Sequence, residues 1–262
     1  MELSAFFPGV WDKLNDTQRR ALTAAASPRR LAQGELLHGA GAECLGLLAL
    51  QRGRLRAFML SEAGREITLY RLFERDICLF SASCMVRSLQ FDISIEAERD
   101  SELLVISPEV YRRVMEQSAP LANYTNELMA SRFSEVMWLV EQVLWKSFDR
   151  RLAAFLLEES ALEGGPELGL THERIAAHLG TAREVVTRML RYFQAEGLVS
   201  LSRGALRIED EAGLEALADP KHPDYPLFQH LAYDQDKLDR LWEDQTMPVS
   251  YTHLRAHRDP KT

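Results

Sequence analysis

The stretch "GTAREVVTRML", Gly180 to Leu190, sets Arg183, Glu184 and Arg188 among apolar residues. Read as a helix, it places Val185, Met189 and Phe193 one turn apart on a buried stripe, because side chains three and four positions apart share a face. Arg183, Glu184, Thr187, Arg188 and Arg191 then share the outer surface, where their donors and acceptors suit base edges and phosphates. A charged outer face by itself is the ordinary solvated side of a surface helix. The flanking residues decide between the two readings.

Upstream, "LTHERIAAHLG" supplies a cap at Thr171, an apolar stripe of Ile175, Ala176 and Leu179, and a stop at Gly180. Downstream, "EGLVSLSRGALRI" breaks the second helix at Gly197. Two short β-like runs follow, Leu198 to Leu201 and Ala205 to Ile208, joined by Ser202, Arg203 and Gly204. Helix, tight turn, helix and hairpin make a winged helix-turn-helix. That motif lays its second helix in the major groove of double-stranded DNA and brings the hairpin to the backbone. The expected DNA-binding residues are Thr181, Arg183, Glu184, Thr187, Arg188, Arg191 and Arg203.

The whole chain of 262 residues carries a formal charge of −8, which argues against indiscriminate polyanion binding. The distribution is uneven. From Thr181 to Arg207 five arginines face Glu184 and Glu196, a local +3, so the acidity lies elsewhere. No apolar run reaches the roughly eighteen residues of a membrane span, and the start "MELSAFFPGVWDKL" lacks a basic n-region. A cytoplasmic protein without a membrane partner is expected. Cys44, Cys78 and Cys84 are odd in number and lack paired-ligand spacing, which argues against a disulfide framework or structural zinc.

The N-terminal two-thirds reads as an α+β sensor. A helix is expected from Trp11 to Ala26. Short β-like runs follow at Leu45 to Gln51, Leu55 to Leu60, Ile67 to Leu72, Asp92 to Ala97 and Leu103 to Ile106, punctuated by Gly34, Gly41, Gly53 and Gly64. This pattern suggests a small antiparallel barrel or roll. Pro108 opens a short helix and Pro120 a long one, free of proline and glycine from Leu121 to Trp145. Met129, Phe133, Val136, Met137, Val140, Val143 and Leu144 make its apolar band too wide for one partner. One side can cover the roll while Ala122, Met129, Val136 and Val143, spaced by seven, meet the same helix of a second subunit. Ser147 is read as the cap that starts the next helix, Phe148 to Ser160.

Roll, long helix, Ser-capped junction and winged helix together resemble a Crp/Fnr-type transcription regulator over roughly Phe6 to Ala218. The most specific part is "GTAREVVTRMLRYFQAEGLVSLSRGALRI", Gly180 to Ile208. The resemblance implies a sensor domain at 1–118, a dimerisation helix at 119–146 and a DNA-binding domain at 147–219. It also implies a homodimer on a pseudo-palindromic promoter site, RNA polymerase as a partner, and Arg183, Glu184 and Arg188 facing bases. Arginine can donate twice to guanine, and glutamate can accept from cytosine N4.

Cyclic-nucleotide binders of this family carry a Gly-Glu-Leu segment and, some ten residues on, an Arg-Ser or Arg-Thr pair that holds the cyclic phosphate. Aligned without gaps from the C-terminal side, this chain has Phe80, Ser81 and Ala82 at the first place and Phe91 and Asp92 at the second. The phosphate clamp is missing, and Asp92 would repel a phosphate. The adenine-contacting pair on the long helix aligns with Val136 and Met137. Cyclic AMP is therefore not the expected effector. In its place stands "ERDICLFSASCM", where Cys78 and Cys84 flank the turn Ser81 to Ser83, a candidate sensor. Three readings stay open: buried structural cysteines, a thiol switch with Arg75 and Arg87 as activating cations, or ligation of an iron–sulfur cluster or haem. The cofactor is unknown.

The segment 220–262 reads as a tail with at most one short helix, and "PVSYTHLRAH" within it resembles translated sequencing-adapter read-through. A non-native end is expected there. Neither a phosphate-binding glycine loop, nor GxSxG, nor HExxH occurs, so catalysis is not expected. The function read from the sequence is an effector-responsive DNA-binding regulator. The alternative is a ligand- or thiol-redox-responsive interaction module that does not bind DNA.

Overall fold

The structure, a computed structural model, describes residues 2–38, 46–79 and 93–218. After two short 3-10 turns come α1 (Asp16–Ala24), β1 (Ala26–Leu31), β2 (Leu36–His38), β3 (Leu47–Arg52), β4 (Leu55–Leu60), β5 (Glu66–Leu72), β6 (Ile77–Cys78), β7 (Ser94–Ala97) and β8 (Ser101–Ile106). These strands form two antiparallel four-stranded sheets, ordered β1-β8-β3-β6 and β2-β7-β4-β5. Strand β3 shows why the sheets close into a roll. Its residues Leu47 to Leu50 are all buried because alternate side chains serve different cores. Leu48 and Leu50 enter the roll interior with Leu55, Tyr70, Ile95 and Leu103. Leu47 and Ala49 face outward beneath a second cluster of Phe6, Phe7, Leu22, Tyr111 and Leu121.

The expected helix from Trp11 to Ala26 is cut short. Asn15 accepts from the Gln18 N–H while the Gln18 side chain accepts from the Asn15 N–H, a capping box that starts α1 at Asp16. Ala26 then enters β1, an edge strand able to tolerate Pro28.

Helix α2 (Pro108–Glu116) leads to α3 (Ala119–Trp145), which carries a proline in its first turn and is capped by the Ser118 hydroxyl. At 27 residues α3 is about 40 Å long. Leu121 and Leu128 pack on the outer cluster, and Val136 and Leu139 on the roll interior. Lys146 and Ser147 are both extended and separate α3 from α4 (Phe148–Glu163); the Ser147 side chain makes no capping bond, contrary to the expectation.

The C-terminal part adds β9 (Glu167–Leu168), α5 (His172–Leu179), α6 (Arg183–Ala195), β10 (Val199–Ser202), β11 (Ala205–Ile208) and α7 (Glu211–Ala218). These surround their own core of Leu152, Leu156, Ile175, Val186, Leu190 and Phe193.

Helix α5 lies against β5 of the roll, and α4 presents a row of carboxylates to roll arginines. Arg71, 5% exposed, lies 3.0 Å from Glu98, 2.5 Å from Glu159 and 3.6 Å from Glu158. Arg54 joins Glu98 at 2.9 Å to Glu163 at 2.8 Å. In the reverse direction Arg174 of α5 reaches Glu96 at 2.9 Å, whose other oxygen meets the buried Arg56 at 2.7 Å. The His178 ring is 5% exposed, and its Nδ1 shares a hydrogen bond with the Thr68 hydroxyl. Desolvation, reinforced by Arg71 and Arg174, holds that imidazole well below its ordinary pKa, so it sits neutral in the interface.

Breaking a buried ion pair from one side strands the other. Arg71→Ala leaves Glu158 and Glu159 without a cation, while Glu98 keeps Arg54, and is expected to destabilise the chain by about 3–5 kcal/mol in denaturant unfolding; a loss below about 1 kcal/mol would contradict this account. Burial pushes Glu158 up to about 7 despite Arg71. The folded state therefore retains a proton that the unfolded chain has released, and stability falls as pH rises from the ordinary carboxylate range to about 7. Glu158→Gln removes that slope: its stability relative to the parent should be lowest near pH 5, rise with pH and level off above about pH 7.5. Paired melts across pH test this, and a constant difference would count against it.

Candidate nucleic-acid interface

The helix-turn-helix is built from local rules. The Thr171 hydroxyl accepts from the Arg174 N–H at 3.2 Å and starts α5. Gly180 ends it in the left-handed region at φ +68°, with its N–H donated to the Ala176 carbonyl. A Cβ at Gly180 would stand 2.8 Å from Ile67 Cδ1, so glycine serves both the turn and the close approach to the roll.

Helix α6 begins after Ala182 without a side-chain cap. Its buried residues are Val186, Leu190 and Phe193, while Val185 and Met189 are half-buried, so the stripe is rotated by one residue from the expected Val185–Met189–Phe193 line. The tilt follows the packing of α6 against Ile175 and Ala176 of α5. On the opposite surface Arg183, Glu184, Arg188 and Arg191 are exposed. Arg183 meets Glu173 at 2.7 Å, both largely solvated, a contact that contributes little. Among the described residues no carboxylate pairs with Arg188, Arg191 or Arg203. Thr181 is half-buried at the turn. Thr187 is half-buried too; its hydroxyl donates to the Arg183 carbonyl at 2.9 Å and lies 2.8 Å from His172 Nδ1. That hydroxyl is engaged within the motif.

Strands β10 and β11 pair from Val199↔Ile208 to Ser202↔Ala205, which leaves Arg203 exposed at the hairpin tip beside Gly204 at φ +77°. Arg207, counted with the basic cluster, instead lies near Glu167 at 3.5 Å and Glu209 at 3.9 Å.

The other residues singled out by the sequence are placed unevenly. On α3, Met129 is half-buried against both cores of the N-terminal part and Val136 against the roll. Ala122 is half-buried, and only Val143, at 42% exposure, lies open. The seven-residue line Ala122–Met129–Val136–Val143 thus faces partly inward, because the roll takes that side of the helix. The outward apolar stripe is Phe133, Met137, Val140 and Leu144, with Trp145 beside it. Cys78 is buried in β6, with its Sγ 3.4 Å from the Tyr70 hydroxyl. Cys44, Cys84, Ser81, Ser83 and the aligned positions Phe80, Ala82, Phe91 and Asp92 lie outside the described residues, as do Arg87 and the tail. Among the described residues no three His, Cys, Asp or Glu side chains group as a metal site, and no helix is long and apolar enough to cross a membrane.

Comparison with known proteins agrees with this geometry. Residues 150–217 match the family described as the Crp-like helix-turn-helix domain. The chain is 29% identical to the "Cyclic AMP receptor protein" of Thermus thermophilus, over 66% of this chain and 79% of that protein. To the "Transcriptional activator protein FnrA" of Stutzerimonas stutzeri it is 27% identical, over 79% and 84%. A crystal structure from Eubacterium rectale, described as a transcriptional regulator of the crp/fnr family, is 54% identical, covers 81% of this chain and 98% of its own, and superposes with a TM-score of 0.79. By this identity over nearly the whole of that crystal structure, and by its Crp-like helix-turn-helix, the chain belongs to the Crp/Fnr family of transcription regulators.

Proposed function

We propose that the chain acts as a homodimer on a pseudo-palindromic promoter site and that α6 reads its major groove. The observation that carries this reading is the exposed row of Arg183, Glu184, Arg188 and Arg191 on a helix whose other face is locked into a core. Arg183 and Arg188 donate to base edges, Glu184 accepts from them, and Arg191 and Arg203 contact phosphates. Thr181 sits at the helix start, where backbone contact fits; Thr187 positions α6 through His172. The work divides into a sensor at 1–118, a connecting helix at 119–146 and a DNA-binding part at 147–219. The protein is cytoplasmic and non-enzymatic on this reading, with RNA polymerase as its partner in transcription. A DNA-independent interaction module is less well supported, because it leaves the exposed arginines of α6 without a use.

For the dimer, the stripe Phe133, Met137, Val140 and Leu144 is the seam. Its spacing of four, three and four residues is that of a coiled-coil interface, and its members are 40–65% exposed. Two such helices would hold the two reading helices about one DNA turn apart.

Arg183→Ala and Arg188→Ala are each expected to lose roughly 1–3 kcal/mol of sequence-specific binding with circular dichroism unchanged. The measurement is a salt-matched gel shift on selected promoter fragments, and wild-type footprints for both would remove α6 as the reader. Met137→Glu and Val140→Glu are expected to yield monomers in sedimentation, because a carboxylate facing its symmetry mate has no partner. The same substitution at Met129 should instead lower stability, since Met129 packs on the chain's own cores. An intact dimer for both stripe variants would displace the seam.

A further inference from the structure

A cavity of about 90 Å³ lies where β5, α3, α4 and α5 meet, so the roll, the connecting helix and the DNA-binding part all contribute walls. Leu69, Trp138, Leu139 and Phe155 make much of it apolar. Two polar groups on the wall stand apart from the interdomain ion network. Gln142 is 5% exposed, yet among the described residues its carboxamide has no hydrogen-bond partner. Arg151 is half-buried, donates to the Leu179 carbonyl, and has no carboxylate within ion-pair distance among the described residues.

The other charged groups on the wall, Arg71 and Glu158, already have ion-pair partners. Arg71 of β5 is matched by Glu98, Glu158 and Glu159. Glu158 of α4 faces Arg71, and His178 of α5 is held neutral by desolvation. Helix α3 supplies Trp138, Leu139 and Gln142 to the lining and no charge. Among the described residues Arg151 is thus the one charged group of the wall without an ion-pair partner, and the Gln142 amide on the same wall can donate two hydrogen bonds. Burial lowers the pKa of Arg151, as expected of a guanidinium that lacks an anion.

We propose that this cavity binds a small monocarboxylate with a short apolar chain, its carboxylate held by Arg151 and Gln142 and its chain against Trp138, Leu139 and Phe155. A guanidinium and a carboxamide are a natural donor set for a carboxylate. The volume limits the tail, since an apolar cavity of roughly 150 Å³ accommodates benzene; a chain of propionate or butyrate length fits. A ligand there touches all three parts at once and so stabilises their docked arrangement.

The test uses the full chain and sodium butyrate, followed by calorimetry and thermal shift at constant ionic strength. Butylammonium chloride reverses the charge, and sodium phosphate removes the tail. Saturable millimolar binding of butyrate, with neither control binding, is expected. Arg151→Gln and Gln142→Leu should each weaken it roughly tenfold or more, and Leu139→Trp should abolish it by filling the cavity. No saturable butyrate binding, binding undiminished in either Arg151→Gln or Gln142→Leu, or binding of butylammonium or phosphate equal to butyrate would each overturn the proposal. Should Arg151→Gln fail to fold by circular dichroism, Gln142→Leu and Leu139→Trp decide. Calling the ligand an effector rests on the regulatory reading above. The binding measurement contains no DNA, so its failure is distinguishable from failure of operator recognition.

Discussion

Arg71 fixes how the two halves of this protein meet. It projects from β5 into a space bounded by Glu98 of the roll, Glu158 and Glu159 of α4 and His178 of α5. None of these groups is well solvated, so each depends on the others for its polar partners. A buried network of this kind adds little net stability compared with apolar packing, but it penalises every other arrangement, because a shifted interface leaves charges unpaired. Gly180 and Ile67 add a steric condition at the same junction. The orientation of α5 relative to the roll, and through α5 that of α6, follows from these contacts.

Helix α3 is the second constraint, since it serves three surfaces along one length. Its first half covers the outer core through Leu121 and Leu128, its middle closes the roll through Val136 and Leu139, and its outer side leaves Phe133, Met137, Val140 and Leu144 in water. An apolar band of this width is unstable in a solvated monomer, and a patch that stays exposed after the fold is complete marks an interaction surface. Near the end of α3, Gln142 and Trp138 turn toward the DNA-binding part and line the junction cavity. The exposed stripe and the junction cavity thus share one helix.

Helix α6 is held differently. Residues Val186, Leu190 and Phe193 anchor α6 in a core that belongs to the C-terminal part alone, and α7 closes that core through Leu214. Helix α6 is therefore fixed by contacts within the C-terminal part, while its placement relative to the roll depends on the polar junction. This separation lets a regulator change where it presents a helix without remaking the helix.

Much of this was legible in the chain itself. Thr171, Gly180 and Gly197 punctuate the helix-turn-helix by local backbone preference, and the Ser202–Arg203–Gly204 turn marks the wing, so the motif and its exposed arginines follow from nearest neighbours in sequence. The longer strands also announced themselves. The shorter ones did not: β6 and β9, at two residues each, carry no period, and β1 contains Pro28, which masks a strand pattern. Periodicity places apolar residues on a helix without saying which neighbour claims which side: the buried line of α6 is Val186–Leu190–Phe193, and on α3 Met129 and Val136 pack against the chain's own cores. The Arg71 network was illegible for a stronger reason. Its members span Arg54 to His178, and a charged residue in sequence looks the same whether it is solvated or buried. Local propensity determined the elements and the chemistry of the reading helix; only the tertiary structure, by bringing distant charges and apolar faces together away from water, decided which residues join the domains and which remain open for a partner.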